Sequence, residues 1–305
     1  MKPSLLCIPC TVNAALDVAL KATSDPDLVR EILLEVLRWL PTAFEEDTPP
    51  NILHSQVCRI TQKIAGVRDP FKHIKALSNE TALKIYPSLC ETFESIKDDV
   101  EALRFCLKTS IIGNMMDFEV HGHHFSLKNL ESRFKDYLKE PLVIDDTDKL
   151  GEEISRRKKI LYLADNAGEI VFDKLAAKCL KERWGCGVTM VVKGGPVLND
   201  ATLEDVEHIG LGEACDKIIT TGDDTIGIVM SRVSEEFKQA LKDSDIVISK
   251  GQGNLESLTG LEKNIGKPVC YVLRVKCEVV GRNLGVPKDS NVVKLIRFHN
   301  FQKLY

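Results

Sequence analysis

The sequence predicts an α/β protein: an N-terminal all-helical domain packed on a Rossmann-like three-layer α/β/α domain with a mostly parallel sheet. Three observations predict it. Apolar residues in the first 140 positions recur at helical spacing, and no strong alternating strand interrupts them. The composition changes near Pro141, and from there short β-branched runs alternate with helical segments, as in a parallel sheet covered on both faces. Polar and glycine clusters follow five successive apolar runs, at the positions where an open α/β sheet binds its ligands. The expected division is residues 1–140 and 141–305, with the active site in the cleft between them.

In the first half, "DPDLVREILLEVLRWL" sets Leu28, Ile32, Leu33, Val36, Leu37 and Leu40 at helical spacing, with Asp25 or Asp27 at the cap. "PPNILHSQVCRITQKIAG" opens on a proline pair and closes on a glycine, as a helix should. "NETALKIYPSLCETFESI", "DDVEALRFCLKTSIIGNMMDF" and "SLKNLESRFKDYLKE" continue the pattern. In the second half, "ILYLA" precedes the helix "EIVFDKLAAKCLKERW", and "GVTMVV" precedes "TLEDVEHI". "KIITT" precedes "GIVMSRVSEEFKQAL", and "DIVIS" precedes "GNLESLTG". "VCYVLRV" follows, with "NVVKLI" as a last strand.

The bulk numbers exclude some classes. A net charge of −4 gives no broad basic field, so nucleic acid is not an expected partner. No apolar run approaches the roughly 20 residues that span a membrane. A single Lys2, with Pro3 and Pro9 interrupting the short apolar run, argues against a signal peptide. Ten scattered cysteines in 305 residues suit free thiols in a reducing cytoplasm better than a disulfide framework. Oligomeric state has no sequence signal.

The strand-end clusters carry the chemistry. Asp165, Asn166 and Glu169 follow the first strand, in "LADNAGEIVFD". Lys193, Gly194, Gly195 and Asn199-Asp200 follow the second, and Gly222, Asp223 and Asp224 the third. Lys250, Gly251, Gly253 and Asn254 follow the fourth, and Arg274 and Lys276 the fifth. Asp165, Asn166 and Asp200 offer hard oxygen ligands for Mg²⁺ or Mn²⁺, and for Co²⁺ or Ni²⁺. Lys250 before a glycine turn into a helix suits a phosphate. Metal on one side and a cation with amides on the other is a layout for phosphoryl chemistry.

Each piece also has a structural reading. Asp165 or Asn166 suits a helix cap, and Glu169 suits a helix N-terminus through its charge alone. Asp200 suits the turn before "TLEDV", where Thr202 and Asp205 already resemble a capping box. Asp223 and Asp224 read as turn residues; Lys250, Arg274 and Lys276 suit solvated charges. Absent motifs narrow the choice. There is no P-loop, no G-x-G-x-x-G after a strand and no G-x-S-x-G elbow.

"ADNAGEIVFD", "LNDAT" and "SKGQGN", with "GNMMD" upstream, resemble the metal-dependent damage-control phosphatases, once filed as domain of unknown function eighty-nine. The resemblance spans nearly the whole chain and implies the same helical-then-Rossmann order. It implies metal ligation by Asp165, Asn166 and Asp200, and phosphate binding by Lys250. It also implies that Asn114 and Asp117 reach the site from the helical half; without it, Asn114 after Gly113 reads as a helix break. "CIPC", Cys7 and Cys10, is similar to a cysteine pair of the prokaryote-type branch. A zinc site would need a second such pair, so a metal or redox role and a structural one both stand. "HGHH", with His121, His123 and His124, has the look of a metal clip, but just after "GNMMD" it suits a loop as well as a place near the site, and a direct metal role is not the favoured reading.

The expected activity is hydrolysis of phosphomonoesters of small metabolites, sugar phosphates or damaged phospho-metabolites, by metal-activated water. Asp165, Asp117 and Lys250 are the expected catalytic residues, with Asn114, Lys250, Gly251 and Glu169 on the phosphate side. Ala167 stands where a haloacid-dehalogenase-type site needs a second Asp, so an aspartyl-phosphate on Asp165 is disfavoured. The alternatives are a non-hydrolytic binder of a phospho-metabolite or nucleotide, and an S-adenosylmethionine-dependent carboxyl methyltransferase.

Overall fold

A computed structural model describes residues 1–44, 48–115 and 127–297. Helices α1 (Cys7–Ala22), α2 (Pro26–Ala43), α3 (Pro50–Ala65), α4 (Lys72–Ser95), α5 (Asp99–Met115) and α6 (Leu127–Leu138) come first. β1 (Leu142–Asp145), α7 (Thr147–Arg156), β2 (Lys159–Leu163), α8 (Glu169–Glu182), β3 (Gly187–Val192), α9 (Leu203–Ile209) and β4 (Lys217–Thr220) follow. The chain continues through α10 (Glu235–Asp243), β5 (Ile246–Lys250), α11 (Gly251–Leu258), α12 (Glu262–Ile265), β6 (Val269–Arg274), α13 (Glu278–Leu284) and β7 (Asn291–Ile296). Among the described residues no helix is long and apolar enough to cross a membrane.

Local chemistry sets the helix ends. Asp25 caps α2 by accepting the Asp27 N–H at 2.9 Å, with Pro26 in the first turn. α3 starts behind Pro49 and stops at Gly66 in the left-handed region. The strands lie in the order β1-β7-β6-β5-β2-β3-β4. β2 to β6 are parallel, β7 runs antiparallel to β6, and β1 pairs parallel with β7. The mostly parallel, Rossmann-like sheet expected from the sequence is present. β2 sits between β3 and β5, so the chain winds outward one way, then crosses back. The crevice beyond the ends of β2 and β5 is the topological switch point.

Alternation along each strand divides the core. Ile160, Tyr162, Met190 and Ile248 pack on one face with residues of α4, α5, α7 and α8. Leu161, Leu163, Val247 and Tyr271 pack on the other with residues of α10, α11 and α13. α1, α2 and α3 form a smaller core with Val197 and Ile226, which lie in loops following β3 and β4.

The structure departs from the sequence reading at several points, among them the short helices α12 and α13, which were not expected. β1 and α7 were not legible, because β1 is four residues long and its Leu-Val-Ile run hides the alternation in burial that the edge strand has. "GIVMSRV" is not helical; α10 begins only at Glu235, where Ser234 accepts the Phe237 N–H. Its backbone is held elsewhere. Ser55 and Asn51 of α3 bind the N–H and carbonyl of Ile226, and Ser257 takes the Ile228 N–H. Finally, α5 runs through Gly113 to Met115, so that glycine is no helix break.

Gly113 instead permits close approach. A Cβ there would lie 2.2 Å from Cδ2 of Phe172 on α8, itself buried and packed on Phe134. Gly113→Ala gains up to ~1 kcal/mol of helix propensity but overpacks a ring with no room to move, at about 1–3 kcal/mol. We expect a lower urea midpoint than wild type; a raised midpoint would mean that the contact tolerates a methyl.

Candidate metal and phosphate site

Backbone bonds between two loops gather the acids. The Ala201 N–H donates to the Asp165 carbonyl at 2.8 Å, and the Ala167 N–H to the Asn199 carbonyl at 2.9 Å. Asn166 and Asp200 consequently form an antiparallel bridge. Asn254 of α11 ties in the third loop, donating to the carbonyls of Ala164 and Lys250. Gly251 makes the fit possible. It sits at φ +76°, and a Cβ there would overlap the Asp165 carboxylate, 2.1 Å from Cγ. Asp165, Asn166 and Asp200, all buried, thus meet at the switch point.

The capping readings do not hold. The N-cap position of α8 is Gly168, without a side-chain cap, so neither Asp165 nor Asn166 fills that role. α9 has its capping box from Thr202 and Asp205, which leaves Asp200 free of it. Asp205 also accepts from Asn79 of α4 at 2.8 Å, while Asn79 takes the Gly168 N–H at 2.6 Å. That amide fixes the turn between Asn166 and Glu169.

Beneath the acids lies a buried ionic network. Glu169 and Asp173 stand one turn apart on α8, and Ser110 and Asn114 one turn apart on α5, so the two pairs face across the helix contact. Ser110 and Tyr162 donate to Asp173, Tyr162 at 2.6 Å. Asn114 donates to Glu169 and to Asp165, the latter at 2.8 Å. The fully buried Lys250 ammonium donates to Glu169 and lies 3.4 Å from Asp173. Lys193 pairs with Asp200 at 3.4 Å and donates to the Gly227 carbonyl.

Acid outweighs base here, and the pKa values respond. Burial pushes the Glu169 acid up to about 8, with Asp165 and Asp173 adding to it against the pull of Lys250. Burial likewise raises Asp200 to about 7 despite Lys193, and Glu256 to about 7. Burial opposes the Lys250 charge, but Asp173 and Glu169 outweigh it and raise its pKa.

The donor set fits a hard divalent cation. Asn114 Oδ1 and Asn254 Oδ1 are buried acceptors without a hydrogen-bond donor, and Asp200 Oδ2 has the Lys193 ammonium at 3.4 Å. Together with Asp165 and Asn166 they offer carboxylate and amide oxygens. Among the described residues no three His, Cys, Asp or Glu side chains form a metal cluster, so an amide would have to complete the set.

Asp117, His121, His123 and His124 lie outside the described residues. Asp223 and Asp224 are taken up by Arg232 and Arg59, and Arg274 by Glu140 and Asn291. Cys7 and Cys10 occupy the first turn of α1 as free thiols. Asp173, Ser110, Tyr162 and Asn79 were missed in the sequence. For Asp173, the spacing of four from Glu169 was the available signal.

The sequence matches the family model described as the damage-control phosphatase ARMT1-like domain over residues 5–292. It is 35% identical over 298 residues to a damage-control phosphatase of Pyrococcus horikoshii, spanning 98% of this chain and 99% of that one. A damage-control phosphatase of Archaeoglobus fulgidus is 35% identical over 301 residues, 97% of this chain and 100% of that one. The crystal structure of a DUF89 family protein from Pyrococcus horikoshii matches with a TM-score of 0.87 at 35% identity, covering 97% of this chain and 99% of that chain.

Removing one charge from the buried network should be costly. Lys250→Met leaves Glu169 and Asp173 facing each other, and we expect a loss of about 3–5 kcal/mol in urea unfolding. Adding Glu169→Gln should recover part of it. A single variant as stable as wild type would show that the ammonium is not what holds these acids.

Proposed function

The chain belongs to the damage-control phosphatase ARMT1-like family, and on that premise we propose that it is a divalent-metal-dependent phosphatase of small phosphorylated metabolites. The observation that carries the metal-dependent part is the meeting of Asp165, Asn166 and Asp200 at the switch point, with buried Asn114 and Asn254 amide oxygens lacking a donor.

Asp165, Asn166 and Asp200 would hold the cation: Mn²⁺, Mg²⁺, Co²⁺ or Ni²⁺. When bound, such a cation supplies positive charge to a phosphoryl oxygen and lowers the pKa of water. Lys250 is the residue we assign to the phosphate; its ammonium donates to Glu169 and lies 3.4 Å from Asp173, which hold it at the base of the site. Asn114 and the backbone of Gly251 complete the phosphate side. Asn114 holds the Asp165 and Glu169 carboxylates in place, and its own carbonyl oxygen, without a donor, suits the cation. Asp165 or Asp117 serves as the proton acceptor. Residues 1–140 and 141–305 act as the two units of the site, the first bringing Asn114 and the second the metal ligands and Lys250. Free thiols throughout support a cytoplasmic location.

Metal-stripped protein, assayed on p-nitrophenyl phosphate and a sugar-phosphate panel, should release phosphate only when one of the four cations is restored. Asp165→Ala and Asp200→Ala should each lose more than about 100-fold in kcat/KM while keeping the wild-type circular dichroism. Full activity in both variants would remove the site, and methyl transfer from S-adenosylmethionine without phosphate release would replace the reaction.

A further inference from the structure

A second cavity opens beyond the ends of β3 and β4, next to the crevice beyond β2 and β5. It encloses about 460 Å³, a size typical of small-molecule sites. None of its lining residues is assigned to the metal or to the phosphate position at Lys250.

Glycine backbone lines part of it, where the loops after β3 and β4 touch. The Gly194 N–H donates to the Asp223 carbonyl at 3.0 Å, and a Cβ on Gly194 would lie 2.5 Å from the Asp223 nitrogen. The neighbouring Gly195 N–H has no acceptor among the described residues.

Three guanidiniums from separate segments line the cavity as well. Arg232, just before α10, makes a forked pair with Asp223 at 2.9 and 3.0 Å. Arg59 of α3 donates through Nη2 to Asp224 at 2.6 Å and to Thr225 at 2.8 Å. Arg68, in the loop after α3, is exposed, and its guanidinium has no ion pair or hydrogen bond among the described residues. Its backbone is nonetheless anchored. Gln62 donates to the Arg68 carbonyl at 2.8 Å and to the Pro196 carbonyl at 3.1 Å, tying this loop to the one after β3. The two carboxylates fix their arginines without cancelling the charge, since the lining sets three guanidiniums against two carboxylates.

These features select a ligand. Pro196 is the one apolar side chain in the lining among the described residues, so an apolar molecule gains little there. Planar guanidiniums and a glycine amide without an acceptor match the oxygens of a phosphate. The volume is more than a lone phosphate ion fills, which leaves room for the molecule that carries it.

We propose that this cavity is a second binding site, for the phosphate group of a small metabolite, distinct from the position at Lys250. It stands or falls independently of the phosphatase reading. Such a phosphate reaches the cavity either as the far end of a bisphosphorylated substrate or on a separate molecule.

Inorganic phosphate is titrated by calorimetry into the metal-stripped full-length protein. We expect binding in wild type, a Kd raised about tenfold in Arg68→Ala, and partial recovery in Arg68→Lys. Arg68 is exposed, so circular dichroism should be unchanged in both variants. No binding in wild type, or a Kd within about twofold of wild type in Arg68→Ala, would overturn the site. KM values with Mn²⁺ for a hexose bisphosphate and a hexose monophosphate then separate the two sources. A rise in Arg68→Ala for the bisphosphate alone assigns the cavity to the far end of the substrate. Unchanged KM for both, with the weaker phosphate Kd, assigns it to a separate ligand. If wild type turns over neither compound, the phosphatase reading fails and the calorimetry alone decides the cavity.

Discussion

The Lys250 ammonium, shut away from water between Glu169 and Asp173, is the constraint on which the rest of the site depends. Burying an ammonium is expensive unless carboxylates and further hydrogen bonds surround it. The fold meets that demand from four elements. β5 supplies the lysine, α8 both acids, β2 the Tyr162 hydroxyl and α5 the Ser110 hydroxyl with the Asn114 amide. Because α5 must donate to α8, the two helices have to lie close, and Gly113 against Phe172 lets them. Packing and electrostatics here are one requirement.

The same network places the acids above it. Asn114 reaches Glu169 and Asp165 together, coupling the buried ion pair to the proposed metal ligands. The loops after β2 and β3 are then locked to each other by backbone bonds, and Gly251 leaves room for the Asp165 carboxylate. What results is an over-acidic crevice with buried amide oxygens of Asn114 and Asn254 that lack a donor, which a cation would relieve. Raised pKa values at Glu169 and Asp200 express the same excess of negative charge.

Much of this was legible in the sequence, for identifiable reasons. Fully buried parallel strands read as short apolar runs, and the residues directly after them fall at the ligand edge. That rule placed Asp165, Asn166, Asp200 and Lys250 among the strand-end residues, and their chemistry with the family resemblance singled them out. What escaped it were polar residues inside apolar elements. Tyr162 lies in the middle of a strand, Ser110 within an apolar helix and Asp173 one turn into α8, where a lone acid reads as a solvated face. Their partners lie up to 77 residues away in sequence, as Lys250 does from Asp173, and local patterning carries no information at that range. The "GIVMSRV" stretch failed for a related reason: its apolar residues sit at helical spacing, but α3 and α11 hold its backbone in another shape.

The central claim is that Asp165, Asn166 and Asp200 form a cation site above the Glu169–Lys250–Asp173 network. Anomalous diffraction from crystals grown with Mn²⁺ tests it most directly. The account predicts one strong peak within coordination distance of oxygens from all three residues. A manganese peak elsewhere, or none, with the buried network intact, would contradict it.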